Sequence, residues 1–476
     1  MLGRFQIADL LIIFPLVFAA ALCLEAVERI RRPVILSPYR LTSLTFIHGL
    51  VVVFIALQFY VQVLPEFRPY AYADDWIYAL PLKFSSVSQW VNWAFVQHVD
   101  HRIPIQKLTN FWILRATGFD FRYLVALNYL LAMGVTAMLL YVAKAYRGYL
   151  SAGDLMIPLA LLSFGTGLSL WGFQFQFVSS IFFMTLFVFL GVRFARSGRT
   201  GYLSGAAVAL IACALCGMNG LLFATCSTAA MLAWLFAKRT AGTTRPVLLF
   251  MGALLIELVI WKTWRPTAAS STDLDLHLIG RYMYSLIPSS MMVFSFHRIF
   301  WKFLTIFALF VAALAICLQR LRSRTLTLEE FLLGVGAFCS FVVMLSVAVG
   351  RSKIQGPWSD GIGLHYGMMS VFMPVLSWIL VSKYLSARVS TLVGLALAAV
   401  FIASFLANSE WRFENIGNSS AHQTEIVRAM QSGESETTIA DKYLADFTID
   451  KQHEKDVTGG IEAFRGDGAV LYGPRH

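Results

Sequence analysis

Long apolar runs broken by short polar connections set the pattern of this chain. Twelve runs reach the roughly 17–25 residues that a membrane span takes. They cover approximately residues 7–27, 41–63, 123–143, 155–171, 177–194, 202–218, 221–237, 246–263, 298–318, 328–349, 367–383 and 391–408. The first has no small-residue cleavage site after it and reads as a retained span. The expected fold class is an all-α polytopic membrane protein with about 12 transmembrane helices. Residues 1–408 form its membrane domain and 409–476 a small soluble tail with helix-permissive stretches at Ala421–Gln431 and Thr437–Phe447.

Within the connection 65–122 the pattern changes. Trp76–Phe95 and Ile103–Thr117 are rich in Trp, Phe and Leu but too often interrupted by polar residues to span. They read as amphipathic helices in the membrane interface, with rings at headgroup depth. A re-entrant hairpin packed inside the bundle suits the same residues.

Composition agrees with the pattern. Hydrophobic residues make up 58% of the 476 and charged residues 14%, about half the charge of an average soluble domain. The net charge of +11 is uneven. From Glu410 onward stand 12 acidic and 7 basic residues, leaving 15 of the chain's 27 acids and 31 of its 38 bases before it. Basic loops set orientation and suit anionic headgroups, so a bilayer is the expected partner and nucleic acid is not. The six cysteines all lie in apolar runs, and the Cys213/Cys216 spacing falls mid-span, where small residues serve helix packing.

Alternate connections are basic: Arg29 to Arg40, Lys144 and Arg147, Arg193 to Arg199, Lys238 to Arg245, Arg320 to Arg324, and Lys383 with Arg388. The positive-inside rule places these in the cytoplasm. Both termini and the connections 65–122, 264–297 and 350–366 then lie outside. The ionisable groups gather in those three connections, while Glu257 stands as the acid well inside a span. Such a distribution suits a site at one face of the membrane better than a path through it.

Asp74 and Asp75 stand side by side just beyond the second span. Adjacent carboxylates at a membrane boundary can ionise, hold a metal, or take a proton from a hydroxyl. His98, Asp100, His101 and Arg102 form a second cluster; with Asp74 or Asp75 they suit a divalent cation such as Mg or Mn, or a phosphate. Arg351 and Lys353 follow the tenth span and His365 opens the eleventh, a set suited to a phosphate or to snorkelling at the headgroups. His277 and Arg281 are weaker candidates for the same site, and Trp171, Gln174 and Gln176 suit a sugar but read first as part of an aromatic belt.

A long outer loop with an acidic pair at its start, followed by interfacial helices, resembles the GT-C superfamily of integral-membrane glycosyltransferases. Within it the chain resembles specifically the bacterial enzymes that use polyprenyl-phosphate sugars. The segment His98 to Pro104, and Gly350-Arg351 before His365-Tyr366, carry the rest of the resemblance. The His-Tyr pair and the extra first span are departures from the family pattern. The resemblance implies a multi-pass enzyme of the bacterial inner membrane, its site facing the extracytoplasmic side. It would move a sugar from a polyprenyl-phosphate-linked donor to a lipid or glycan acceptor. Asp74 or Asp75 would be the base, and Arg351, Lys353, Arg102 and His365 would hold the donor phosphate. His98, Asp100 and His101 are left for acceptor or metal. An O-antigen polymerase or ligase, and a lipid-linked sugar flippase, are the rival readings.

Overall fold

A computed structural model describes residues 43–99, 101–164, 171–238, 244–265, 275–291, 299–353, 366–448 and 454–472. The expected span 7–27, Asp100 and His365 lie outside the described residues. The structure is all-helical. The described α-helices are α1 (Ser43–Gln58), α2 (Val87–Phe95), α3 (Pro104–Ala116), α4 (Arg122–Arg147), α5 (Met156–Leu161), α6 (Phe175–Ser197), α7 (Gly201–Ala214) and α8 (Met218–Lys238). They continue as α9 (Thr244–Thr263), α10 (Leu276–Leu286), α11 (Ile299–Arg322), α12 (Leu328–Arg351), α13 (Gly367–Val381), α14 (Ala387–Gln431), α15 (Glu436–Phe447) and α16 (Glu454–Gly466).

Eight helices among the described residues are long and apolar enough to cross a membrane. Three further expected spans are shorter helices: Ala152–Leu161, Gly201–Ala214 and Gly367–Val381. Every residue of α13 is buried, which explains why it has no polar face: protein surrounds it on all sides. The chain is therefore a multi-pass membrane protein.

The basic helix ends meet on one face of the bundle. Arg193 at the end of α6 donates to Tyr141 Oη of α4 at 3.0 Å. Arg147 at the end of α4 pairs with Asp154 and donates to Ser382 Oγ at 2.6 Å. Lys383 lies 4.0 Å over the Tyr146 ring, and Arg196 reaches Glu329 at 3.6 Å. The first loop joins α4 at its other terminus, Arg122, so that loop sits at the opposite end of the bundle.

Helix α14 continues past the expected domain boundary at 409. Its apolar part, Ala387–Glu410, is about 36 Å long at 1.5 Å per residue, enough for a core of about 30 Å. The helix then runs unbroken to Gln431. A helix satisfies its own backbone in lipid and in water alike, so leaving the membrane requires no turn. Beyond it, α15 and α16 fold back onto the first loop. Two cores result. One fills the bundle; the other joins Tyr70, Trp76, Tyr78 and Phe119 of the loop to Ile426, Phe447, Ile461 and Phe464 of the tail. The tail is a cap on the loop.

Within the loop, the Trp76–Phe95 stretch is two elements: a 3-10 segment, Ala73–Lys83, and α2, started by Ser86 as N-cap to the Gln89 N–H. α2 and α3 present Val87, Val91, Phe95, Leu108 and Trp112 outward, an apolar face suited to the interface. Their polar side turns inward, where Gln106 and Asn110 both donate to Tyr78 Oη, at 3.1 and 2.8 Å.

Cap and loop pack tightly at Gly460. A Cβ there would lie 2.3 Å from Trp76 Cε3, so Gly460→Ala must displace the indole or the helix. The expected loss is about 1–3 kcal/mol, read as weakened hydrogen-exchange protection over α16 at moderate urea.

Candidate active site

Asp74 and Asp75 open the 3-10 segment, which starts after Tyr72 in extended conformation. The tight helical rise sends adjacent side chains in different directions, and the two carboxylates have opposite surroundings. Asp74 keeps a side-chain exposure of 44%, and its Oδ1 lies 3.3 Å from His98 Nε2. Asp75 is 2% exposed. Its Oδ2 accepts the Trp171 indole N–H at 2.8 Å and the Tyr72 N–H at 3.2 Å, while Oδ1 is buried without a partner. Burial pushes the Asp75 carboxyl well above the usual carboxylate range, although the Trp171 and Tyr72 hydrogen bonds oppose this. Burial thus favours the neutral form, with one oxygen accepting both hydrogen bonds.

His98 is held by a turn in which its N–H and that of His101 each donate to the other's carbonyl at 2.8 Å. Two residues beside the Asp74–His98 pair take left-handed backbone, Ala73 at φ 50° and Val99 at φ 48°. For a β-branched valine this is a true outlier. Strain on both sides of one hydrogen-bonded pair is what pre-organised sites show. An aromatic frame fixes the pair. The His98 ring is 5.3 Å from Phe173, which stacks on Trp171 at 5.3 Å.

The pair opens on a hollow of about 600 Å³ between loop and cap. Trp76, Trp93 and Leu80 give it apolar walls; Lys83, Lys107, Lys455 and Asp456 also face it. Lys107 is buried, with Nζ donating to the carbonyls of Trp93 and Val96 at 2.7 and 2.9 Å. These carbonyls lie at the end of α2, where a cation belongs. Burial brings the Lys107 pKa down to about 8.

The other expected residues lie around this centre. His101 Nδ1 accepts the Met218 N–H at 3.3 Å. Arg102 donates to Thr263 Oγ1 at 2.7 Å and to the Thr263 carbonyl, clasping the end of α9. Arg351 ends α12 and sits near enough to Tyr282 for its charge to act on that phenol. Phe177 links the groups, edge-on to the His101 ring at 6.2 Å and to Tyr366 at 5.7 Å. Lys353 lies two residues past Arg351, beyond the end of α12. Among the described residues no three His, Cys, Asp or Glu side chains converge as a metal site. Asp74 and His98 meet, whereas Asp75 turns to Trp171 and His101 to Met218.

Sequence reasoning gave no site role to Lys107, Lys455 or Asp456, and placed Trp171 in an aromatic belt where it meets Asp75. Lys107 and Trp171 carried a signal: a lysine inside an aromatic-rich amphipathic helix, and an indole in a turn with two amides. Nothing local marks Lys455 and Asp456, which belong to the tail.

Fold and site define a multi-pass helical membrane protein with a strained carboxylate–imidazole pair under a helical cap. No protein-family model and no curated protein sequence matches this chain. Among solved structures, the crystal structure of ArnT from Cupriavidus metallidurans in the apo state is similar to it. The TM-score is 0.45, with 14% sequence identity, over 89% of this chain and 76% of that one.

Proposed function

We propose that this protein is a GT-C-like glycosyltransferase of the bacterial inner membrane. It moves a sugar from a polyprenyl-phosphate-linked donor to a hydroxyl of a lipid or glycan acceptor at the extracytoplasmic face. The observation that carries this reading is Asp74: an exposed carboxylate, oriented by His98, on the wall of a hollow at the end of the bundle opposite the basic helix ends. The positive-inside rule makes that end the outer one.

In this reaction the acceptor oxygen forms a bond to the anomeric carbon while that carbon's bond to the phosphate oxygen breaks. The hydroxyl proton passes to Asp74, and the bonding electrons leave with the lipid phosphate. Proton removal by a placed base contributes roughly 10²–10⁴-fold. Asp75 holds the loop through Trp171 and Tyr72. Arg351, Lys353 and His365, with Arg102, are the proposed holders of the donor phosphate, whose growing charge they would offset. Asp74 and His98 also offer two ligands to a divalent cation, of the roughly six that Mg takes. The proton transfer above is the pair's own chemistry.

The test is a proteoliposome loaded with a radiolabelled polyprenyl-phosphate sugar and candidate acceptor lipids. Label in a new glycosidic linkage is the expected result. Label that changes leaflet with no new linkage would make the protein a flippase instead.

A further inference from the structure

We propose that the hollow between loop and cap is an anion subsite, and that the acceptor therefore carries a phosphate or a carboxylate. This rests on the transferase reading above. Three lysines reach the hollow from three separate elements: Lys83 ends the 3-10 segment, Lys107 lies on α3, and Lys455 stands in the first turn of α16. Among the described residues Lys83 and Lys455 form no ion pair. The Lys107 ammonium is fixed on the wall by two carbonyls. The facing carboxylates are Asp74 and Asp456, and Asp74 is engaged by His98. Three cations thus face two carboxylates. An excess of positive charge in a walled cleft concentrates anions there. The indole walls beside the lysines suit the apolar face of a sugar.

The position of Asp74 assigns this subsite to the acceptor. A base works within about 2.6–3.2 Å of the proton it removes. The molecule filling the hollow beside Asp74 is then the one that bears the nucleophile. In an in-line displacement the donor phosphate departs on the far side of the reacting carbon. Arg351 and Lys353, at the end of α12, are the cations assigned to it.

The experiment uses the full-length protein in nanodiscs and measures binding of one lipid at a time, so it needs no turnover. The probes are a phosphorylated glycolipid, a glucuronate-bearing glycolipid, their neutral parent, and undecaprenyl phosphate. Wild type should prefer at least one acidic glycolipid over the parent. Lys83→Gln with Lys455→Gln should weaken that binding by about tenfold or more, as loss of charge-assisted hydrogen bonds implies. Parent and undecaprenyl phosphate should bind as before. Lys83→Arg with Lys455→Arg should keep the preference, which separates lost charge from lost fold. A wild type with no preference, or a Gln pair that binds like wild type, overturns the subsite. A loss confined to undecaprenyl phosphate overturns the acceptor assignment. If the binding result holds while the proteoliposomes form no linkage, the transferase reading alone fails.

Discussion

Asp74→Asn is expected to lower sugar transfer by roughly 10²–10⁴-fold, the contribution of a general base, with binding of the donor lipid little changed. Asp75→Asn should fall far less, because the two carboxylates have opposite surroundings. Asp74 faces the hollow and meets His98. Asp75 is buried, and its neutral form is favoured, so an amide is a near copy of it. The amide oxygen still accepts from Trp171 and Tyr72. Asp75→Ala removes that acceptor and strands a buried indole N–H, at a cost of about 1–3 kcal/mol. The order of activity should be wild type, Asp75→Asn, Asp75→Ala, then Asp74→Asn. Asp75 also gives the loop a pH dependence. Unfolded, it ionises near pH 4; folded, it keeps its proton to well above that. Between those values the folded state binds the extra proton, so stability falls as pH rises. Hydrogen exchange of residues 71–83 should show more protection near pH 5 than near pH 7, and Asp75→Asn should remove that slope. Equal transfer by Asp74→Asn and wild type would take the base away from this residue.

Much of the membrane part was legible because a span announces itself over some twenty consecutive residues. Among the described residues eight expected spans are helices long and apolar enough to cross, three are shorter helices, and the basic connections mark one face. The acidic pair and His98 were legible for a related reason: charge beside an apolar run stands out. Other features depend on contacts distant in sequence. Trp171 meets Asp75 across 96 positions, and the Trp76 indole N–H donates to the Phe447 carbonyl across 371. No local pattern encodes either. At 409 polarity changes while backbone hydrogen bonding does not, so one helix joins the last span to the tail. The hydrogen bonds of Arg102 to Thr263 likewise come from the end of α9, a pairing the local sequence does not display.

Arg465→Ala is expected to unfold the cap and, through it, to loosen the loop that carries Asp74. Arg465 is 2% exposed. Its guanidinium donates to the Tyr472 carbonyl at 2.5 Å, to Glu436 Oε1 at 2.7 Å and to the Met430 carbonyl at 3.0 Å. One side chain thus ties the end of α14, the start of α15 and the segment after α16. Breaking a buried ion pair from one side costs about 3–5 kcal/mol, against about 5–15 kcal/mol for a whole domain. A three-helix appendage cannot absorb such a loss. The effect reaches the site because the Ala71 N–H donates to Tyr472 Oη at 3.0 Å, and Ala71 lies three residues before Asp74. Protection from exchange should therefore fall over 454–472 and over 71–78 together, with α6 and α12 unchanged. Glu436→Gln keeps an acceptor for the guanidinium, so it should lose less than Arg465→Ala. If the cap opened while 71–78 kept full protection, cap and loop would be separate units. The hollow would then owe its closed wall to the loop alone, and Lys455 would have no fixed place beside Asp74.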